Sequence, residues 1–169
     1  PHVAIERDWS AAAFWYEYIA IHGGEVLLEG LTEDSLQGDR KVAAIYAQYM
    51  GVHTTYTPQG VIVRATDDQR PTCITIDFSA TPDLYPAIAL TCERLGITLH
   101  AEGTERLRHK ECDRLEAVRL HEVRNDHRMA MALMAADYPV NVYRLCSPGL
   151  YGCTQGEGVI PKDQRTASG

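Results

Sequence analysis

The chain switches between two hydrophobic periodicities, and the switches outline its elements. Apolar and aromatic residues fill Ala11–Ile21, behind Asp8-Trp9-Ser10 and ahead of Gly23-Gly24. That pattern predicts a helix with a cap candidate at its start and a glycine stop at its end. Glu25–Gly30 is short and strand-like. Gly38-Asp39-Arg40 opens a second helix, Lys41–Tyr49, which Gly51 ends. Val52–Thr57 and Val61–Ala65 then alternate as strands around Pro58-Gln59-Gly60, a hairpin signal.

The order then begins again. Cys73–Phe78 predicts a strand, and Thr81-Pro82-Asp83 caps a helix, Leu84–Leu95, stopped by Gly96. Ile97–Ala101 follows as a strand, and Asp113-Arg114 falls in the next helix. A third start is visible at Asn125-Asp126-His127-Arg128, leading into a helix at Met129–Ala136 and a strand at Val140–Tyr143. In register, Asp8, Asp83 and Asp126 each open a helix, and Asp39-Arg40 and Asp113-Arg114 occupy nearly matching offsets. Recurrence of this length predicts copies of a strand–helix–strand–helix–strand–strand unit.

The copies are unequal. Between Arg119 and Asn125 there is no room for two strands, and the third copy is mostly missing. From Arg144 to Gly169 the chain is rich in Gly, Ser, Thr and Pro without periodicity. Residues 1–143 therefore read as one domain of two repeats plus the start of a third, and residues 144–169 as an irregular, disordered tail.

Composition narrows the class. At 169 residues with 45% hydrophobic and 23% charged positions, this is globular material of one domain or part of one. No apolar run is long enough to cross a membrane and no signal peptide opens the chain. The first residue is Pro1, so a native start is expected to be missing or processed. Five cysteines, Cys73, Cys92, Cys112, Cys146 and Cys153, form no C-x-x-C pair. Their scatter suits a reduced, cytoplasmic protein without structural zinc. No dinucleotide fingerprint, P-loop or G-x-S-x-G occurs, which argues against NAD, ATP and serine-hydrolase chemistry.

Charge changes the picture most. The net charge is -7, yet Arg106–Arg128 holds seven Lys/Arg against five acids. Arg106, Arg108, His109, Lys110 and Arg114 fall within nine positions, around Glu111. A local positive island in an acidic chain suits a small, multiply charged anion better than a nucleic acid. If Lys110 and Arg114 lie one helical turn apart, they share a face and can grip one ligand, with Glu111 beside them. The competing reading is a solvated, salt-bridged helix face. His127 and Arg128 sit in the first turn of an apolar helix, where an arginine opposes the helix dipole and so suits bidentate gripping of an anion. Asp83 alone is an N-cap, and Ser35–Asp39 alone is a glycine turn into a helix.

Several of these motifs come together in one family. The chain resembles the EPSP synthases (3-phosphoshikimate 1-carboxyvinyltransferases). The matches are Asp8-x-Ser10-x-Ala12, Asp34-Ser35-x-Gln37-Gly38-Asp39, Pro82-Asp83, Lys110-Glu111-x-Asp113-Arg114 and Asn125-Asp126-His127-Arg128-Met129-Ala130-Met131. They stand in family order from Ile5 to about Val142. The resemblance implies an α/β (α+β) fold of repeated βαβαββ units, the inside-out α/β barrel of the enolpyruvyl transferases, here partial. It implies most of a C-terminal domain, whose missing N-terminal partner supplies the rest of the site.

The implied reaction passes the enolpyruvyl group of phosphoenolpyruvate to the 5-hydroxyl of shikimate 3-phosphate, in chorismate and aromatic amino-acid biosynthesis, with no metal or organic cofactor. By position, Asp83 and Glu111 would be catalytic, Asp83 as base and Glu111 in proton transfer at the phosphoenolpyruvate methylene. Lys110, Arg114, His127 and Arg128 would bind substrate. Departures are His109, Cys112 and Arg106 where the family commonly differs, and the short stretch before Asn125. The family's late lysine also has no counterpart. The remaining alternatives are a non-catalytic anion-binding fragment of the same fold and a related enolpyruvyl transferase.

Overall fold

Three helices that run side by side form the core, and their starts converge at one end. A computed structural model of the chain describes residues 6–140. Helix α1 (Trp9–His22) begins where the Asp8 carboxylate accepts from the Ser10 N–H, and it ends at Gly23, whose N–H donates to Ile19 O. Trp9, Ala13, Tyr16 and Ala20 line its buried face. Strand β1 (Glu25–Glu29), helix α2 (Lys41–Tyr49), and strands β2 (Val52–Thr57) and β3 (Gly60–Ala65) follow. A 3-10 turn, Gly38–Arg40, leads into α2.

The three strands form an antiparallel sheet in the order β1-β3-β2. Its register pairs Glu25 with Arg64 and Glu29 with Gly60. That register turns Val61 and Val63 into the core, where both are fully buried. Gly60 is required at the hairpin, because a Cβ there would meet Leu28 O at 2.2 Å.

The second unit comprises β4 (Cys73–Asp77), α3 (Tyr85–Leu95), β5 (Thr98–Glu102) and α4 (Arg114–Leu120). Strands β4 and β5 are parallel, joined through α3, with Cys73 opposite Thr98 and Asp77 opposite Glu102. Ile74, Ile76 and Phe78 face the helices. Helix α5 (His127–Ala135) opens the third unit. Helices α1, α3 and α5 pack on one another, α2 packs on α1, and α4 packs on α3 and α5. Tyr46 of α2 is fully buried. Its ring packs against that of Tyr16 with centroids 5.5 Å apart and planes tilted by 57°, and its hydroxyl bonds that of Thr91 of α3 at 2.8 Å.

The order helix, strand, helix recurs, in α1–β1–α2 and in α3–β5–α4, and among the described residues only the first is followed by a strand pair before the next helix. Only residues 121–126 separate α4 from α5, and no hairpin lies between them. The chain makes this short passage with three non-glycine residues at positive φ, His121 (52°), Arg124 (49°) and Asn125 (62°), a conformation that L residues adopt at a cost. Of the expected strand Val140–Tyr143, only Val140 is among the described residues, and the expected tail at 144–169 lies outside them.

Two buried groups have no hydrogen-bond partner among the described residues, the Trp9 indole N–H and the Glu17 carboxyl, and the second is ionisable. Glu17 of α1 is fully buried, and neither of its carboxylate oxygens is hydrogen-bonded among the described residues. Burial holds its pKa well above the ordinary carboxylate value. A carboxyl whose folded pKa is raised favours folding below its unfolded pKa, and this contribution is lost as pH rises through the folded value. Replacing Glu17 with Leu should therefore stabilise the chain at neutral pH by about 1–3 kcal/mol. Urea melts at pH 5 and pH 8 should show the gain to be larger at pH 8. An unchanged midpoint at pH 8 would refute the assignment.

Candidate functional site: a guanidinium shared by three carboxylates

The site grows from four turns. Asp83 lies in a 3-10 turn, Pro82–Leu84, that follows β4 and leads into α3. The expected side-chain cap by Thr81 or Asp83 is absent, because α3 starts on Leu84 with no side-chain cap bond. The Asp83 carboxylate instead turns away from its own helix toward the cations. A second 3-10 turn, Glu105–His109, delivers Lys110 in an extended conformation (φ -85°, ψ -160°). Asp113 then caps α4, accepting from the Leu115 and Glu116 N–H groups at 3.1 and 3.2 Å. Arg114 becomes the first helical residue.

This corrects the expectation that Lys110 and Arg114 share a helix face with Glu111 at the helix start. Lys110 and Glu111 precede the helix, and the three side chains meet because the loop folds back over Asp83.

Arg114 is the hub. Its side chain is 1% exposed, and its three nitrogens each reach a different carboxylate. Nε donates to Asp126 Oδ2 at 2.7 Å, Nη1 to Asp83 Oδ1 at 2.7 Å, and Nη2 to Glu111 Oε2 at 2.8 Å. Asp126 is fully buried. It also caps α5, with Oδ1 accepting from Arg128 N at 2.9 Å and Met129 N at 3.4 Å. Lys110 Nζ adds a contact to Asp83 Oδ1 at 3.1 Å. Arg128 Nη2 lies 3.6 Å from Asp83 Oδ2, which is ion-pair distance but too long for a hydrogen bond.

The electrostatics follow from these partners. Burial pushes the Asp83 carboxyl up, but bonds from Arg114 and Lys110 and the charge of Arg128 outweigh it and hold the group below its usual range. Asp126 behaves alike: burial raises it, while Arg114 and the Arg128 and Met129 N–H groups bring it below normal. Arg114 is raised by Asp126 and Asp83 against the effect of burial. Cys112 is pushed up to about 11 by burial and by Asp126, so its thiol is no nucleophile at neutral pH.

The positive island read from the sequence is therefore largely compensated. Arg114 is taken by three acids, Arg124 pairs with Glu116 and Glu122 at 2.6 Å each, and Arg108 reaches Asp113 at 3.3 Å. Among the described residues Lys110 and Arg128 keep donors to spare, and Arg106 has no ion pair. Arg106, His109 and Lys110 line an open groove with Glu105. His127 is exposed at the start of α5. Ligand atoms of Glu111, Asp126 and His127 lie within 4.8 Å of one another. Asp126 is already filled by a guanidinium and two N–H groups there, which leaves a poor cradle for a cation.

Against this geometry, a family model for EPSP synthase (3-phosphoshikimate 1-carboxyvinyltransferase) matches residues 1–121. The chain belongs to the EPSP synthase family. Among similar proteins is the 3-phosphoshikimate 1-carboxyvinyltransferase of Bacteroides fragilis, 35% identical over 119 residues, 68% of this chain and 28% of that protein. The enzyme of the same name from Methanopyrus kandleri is 33% identical over 157 residues, 76% of this chain and 36% of that protein. That of Clostridium beijerinckii is 38% identical over 114 residues, 68% and 25%. The chain thus spans between a quarter and about a third of the length of these relatives.

In this EPSP synthase family member, the six residues singled out from the sequence divide into two groups. Asp83, Lys110, Glu111, Arg114 and Arg128 assemble directly, while His127 stands at the rim. Sequence reasoning passed over Asp126, taken only as a helix cap. The available signal was the register itself, which set Asp126 beside Asp8 and Asp83.

Removing Arg114 leaves Asp126 buried without a cation and Glu111 unpaired, with Asp83 held by Lys110 and Arg128 alone. Arg114→Met should cost about 3–5 kcal/mol by chemical denaturation, and Arg114→Met/Asp126→Ala should recover part of it. Recovery of nothing would show that the pair is not coupled. Because the folded values of Asp83 and Asp126 are depressed, the stability they add is present above the unfolded carboxylate pKa. It is lost as pH falls below about 4. Acid unfolding monitored by circular dichroism should therefore set in there, and more weakly in the double variant.

Proposed function

We propose that this chain supplies one wall of a 3-phosphoshikimate 1-carboxyvinyltransferase site, opposite a separate N-terminal domain. The observation that carries the reading is the family match over residues 1–121, combined with donors left free on Lys110 and Arg128 at the mouth of the cluster. The substrates would be phosphoenolpyruvate and shikimate 3-phosphate. Cys73, Cys92 and Cys112 are all unpaired, which supports a reducing, cytoplasmic setting.

The chemistry would run in two steps. The 5-hydroxyl oxygen of shikimate 3-phosphate bonds to C2 of phosphoenolpyruvate as its proton passes to Asp83. That carboxylate is held ionised by Arg114 and Lys110 and is thus ready to accept. The C3 methylene takes a proton from Glu111, which enters this step as the neutral acid, giving a tetrahedral intermediate. Loss of the C2–O bond to phosphate, which takes the proton held by Asp83, and return of a C3 proton to Glu111 restore the double bond and release inorganic phosphate. Arg128 and Lys110 would hold the anionic groups of phosphoenolpyruvate and offset charge that develops in the intermediate. Arg114 would act mostly by fixing Asp83 and Glu111, since its donors are occupied. Closure of the partner domain would exclude water.

The test measures phosphate release from phosphoenolpyruvate plus shikimate 3-phosphate, with and without a family N-terminal domain. Turnover is expected only in the complemented sample. Glu111→Gln should lower kcat by about 10²–10⁴, and Arg128→Ala should raise KM for phosphoenolpyruvate more than it lowers kcat. No turnover with both parts folded would sink the catalytic reading. Phosphoenolpyruvate binding without turnover would favour a non-catalytic anion-binding domain instead.

A further inference from the structure

Strand β2 ends the three-stranded sheet, and among the described residues nothing pairs with its outer side. The sheet order is β1-β3-β2, and no backbone bond outside that sheet involves Val52–Thr57. The direction of the free groups follows from the ladder. The Ala65 N–H donates to Gly24 O, on the β1 side of β3. Backbone groups alternate sides along a strand, so Arg64, Ile62 and Gly60 turn theirs toward β2. Their partners there are His53, Thr55 and Thr57. Val52, Thr54 and Tyr56 therefore point their N–H and C=O groups away from the sheet.

A bare edge is a template for another strand, and proteins commonly blunt it with proline, lysine or a bulge. Val52-His53-Thr54-Thr55-Tyr56-Thr57 contains neither proline nor lysine, and its register runs without a bulge. The two ends of the edge differ in charge. At one end Tyr56 shares a groove with Arg40, Lys41 and the exposed Leu36. Arg40 donates to the Glu33 carbonyl, which leaves its charge unmatched by that contact. At the other end Asp68 is bonded to His53 Nε2 at 2.7 Å, with Asp67 exposed beside it. Arg70 also stands there, bonded to Met50 O at 3.0 Å. Arg40 and Lys41 against Glu33 leave one positive charge, and Asp67 and Asp68 against Arg70 leave one negative charge.

We propose that β2 is a dimerisation edge: two copies of this chain pair their β2 strands antiparallel about a two-fold axis at Thr54. The result is one continuous six-stranded sheet, three strands from each copy. A two-fold contact must be self-complementary, and this edge is so in backbone and in charge. Thr54 meets Thr54 of the second copy, and Val52 meets its Tyr56, so the outward N–H and C=O groups of all three residues find partners. The axis also sets the Arg40–Lys41 end of each copy against the Asp67–Asp68 end of the other. The groove beside Tyr56 then receives the His53 end of the second strand. The proposal does not rest on the functional reading above, since the Arg114 cluster stands on turns and helix starts and not on this sheet.

The test is sedimentation equilibrium of the full chain, with amide exchange read by NMR in the same samples. The wild-type mass should rise with concentration from one chain to two. As it rises, exchange at Val52, Thr54 and Tyr56 should slow, while His53 and Thr55, already bonded to β3, change least. Thr55→Lys and Tyr56→Pro should each hold the mass at one chain. The proline removes only an outward N–H, so the β3 ladder stays intact. Arg40→Glu and Asp68→Arg should each raise the dissociation constant about tenfold. The double variant Arg40→Glu/Asp68→Arg should recover most of that loss, because each reversed end again meets its opposite. A one-chain mass at every concentration would overturn the proposal. A dimer that survives both Thr55→Lys and Tyr56→Pro would overturn it too, by placing the contact elsewhere. So would protection of Thr54 and Tyr56 that is independent of concentration, which would assign the edge to a segment of the same chain.

Discussion

The Arg114 guanidinium is the interaction on which the rest of this end of the molecule depends. A buried arginine is tolerable only when its donors are matched, because desolvation of the ion outweighs a single contact. Here three carboxylates match it, and each comes from a different segment. Asp83 belongs to the turn before α3, Glu111 to the loop before α4, and Asp126 to the cap of α5. One side chain therefore ties together the starts of two successive units. Asp126 is constrained twice over, since the carboxylate that neutralises Arg114 also caps α5. Moving it would unpair the arginine and uncap the helix together.

The same network decides what is left for a ligand. Arg114 is fully compensated inside the fold, whereas Lys110 and Arg128 each pair only with Asp83 among the described residues and keep donors free. Asp83 lies between them, bonded to Arg114 and within reach of both. Its carboxylate stays ionised despite partial burial, as a proton acceptor must before it acts. The capped helix starts of α4 and α5 add their positive dipole ends to the same region.

Local signals carried most of the fold in the sequence, and long-range ones were harder to see. Helix α2 and the β2–β3 hairpin lie where they were expected, because glycine stops, the Pro58–Gly60 turn and alternating valines act within a few residues. The first helix start moved by two positions, to Trp9, since the cap at Asp8 sets the boundary and the apolar run does not. The face shared by Lys110 and Arg114 was misread for a similar reason. Asp113 is itself a cap residue, so the helix could not begin before it, and that signal was outweighed by the regular spacing of charges. Asp126 looked like a cap and is one. Its burial against Arg114 depends on a loop closing across 12 positions, which no local pattern encodes.

The second unit is short, with a sheet of two strands, yet its side-chain cluster is assembled. Every side chain in the cluster stands on a turn or a helix start, and none stands on a strand. The absence of the two strands expected after α4 therefore takes no side chain from the cluster. It also changes how α5 is attached. A six-residue passage with three strained backbone positions now joins α4 to α5, and strain of that kind persists only where surrounding contacts over-determine it. The Arg114–Asp126 pair is such a contact, together with Met129 and Leu133 of α5, both fully buried. Where a strand pair follows α2 in the first unit, α4 is joined directly to α5 and the Arg114–Asp126 pair ties the starts of these two helices together.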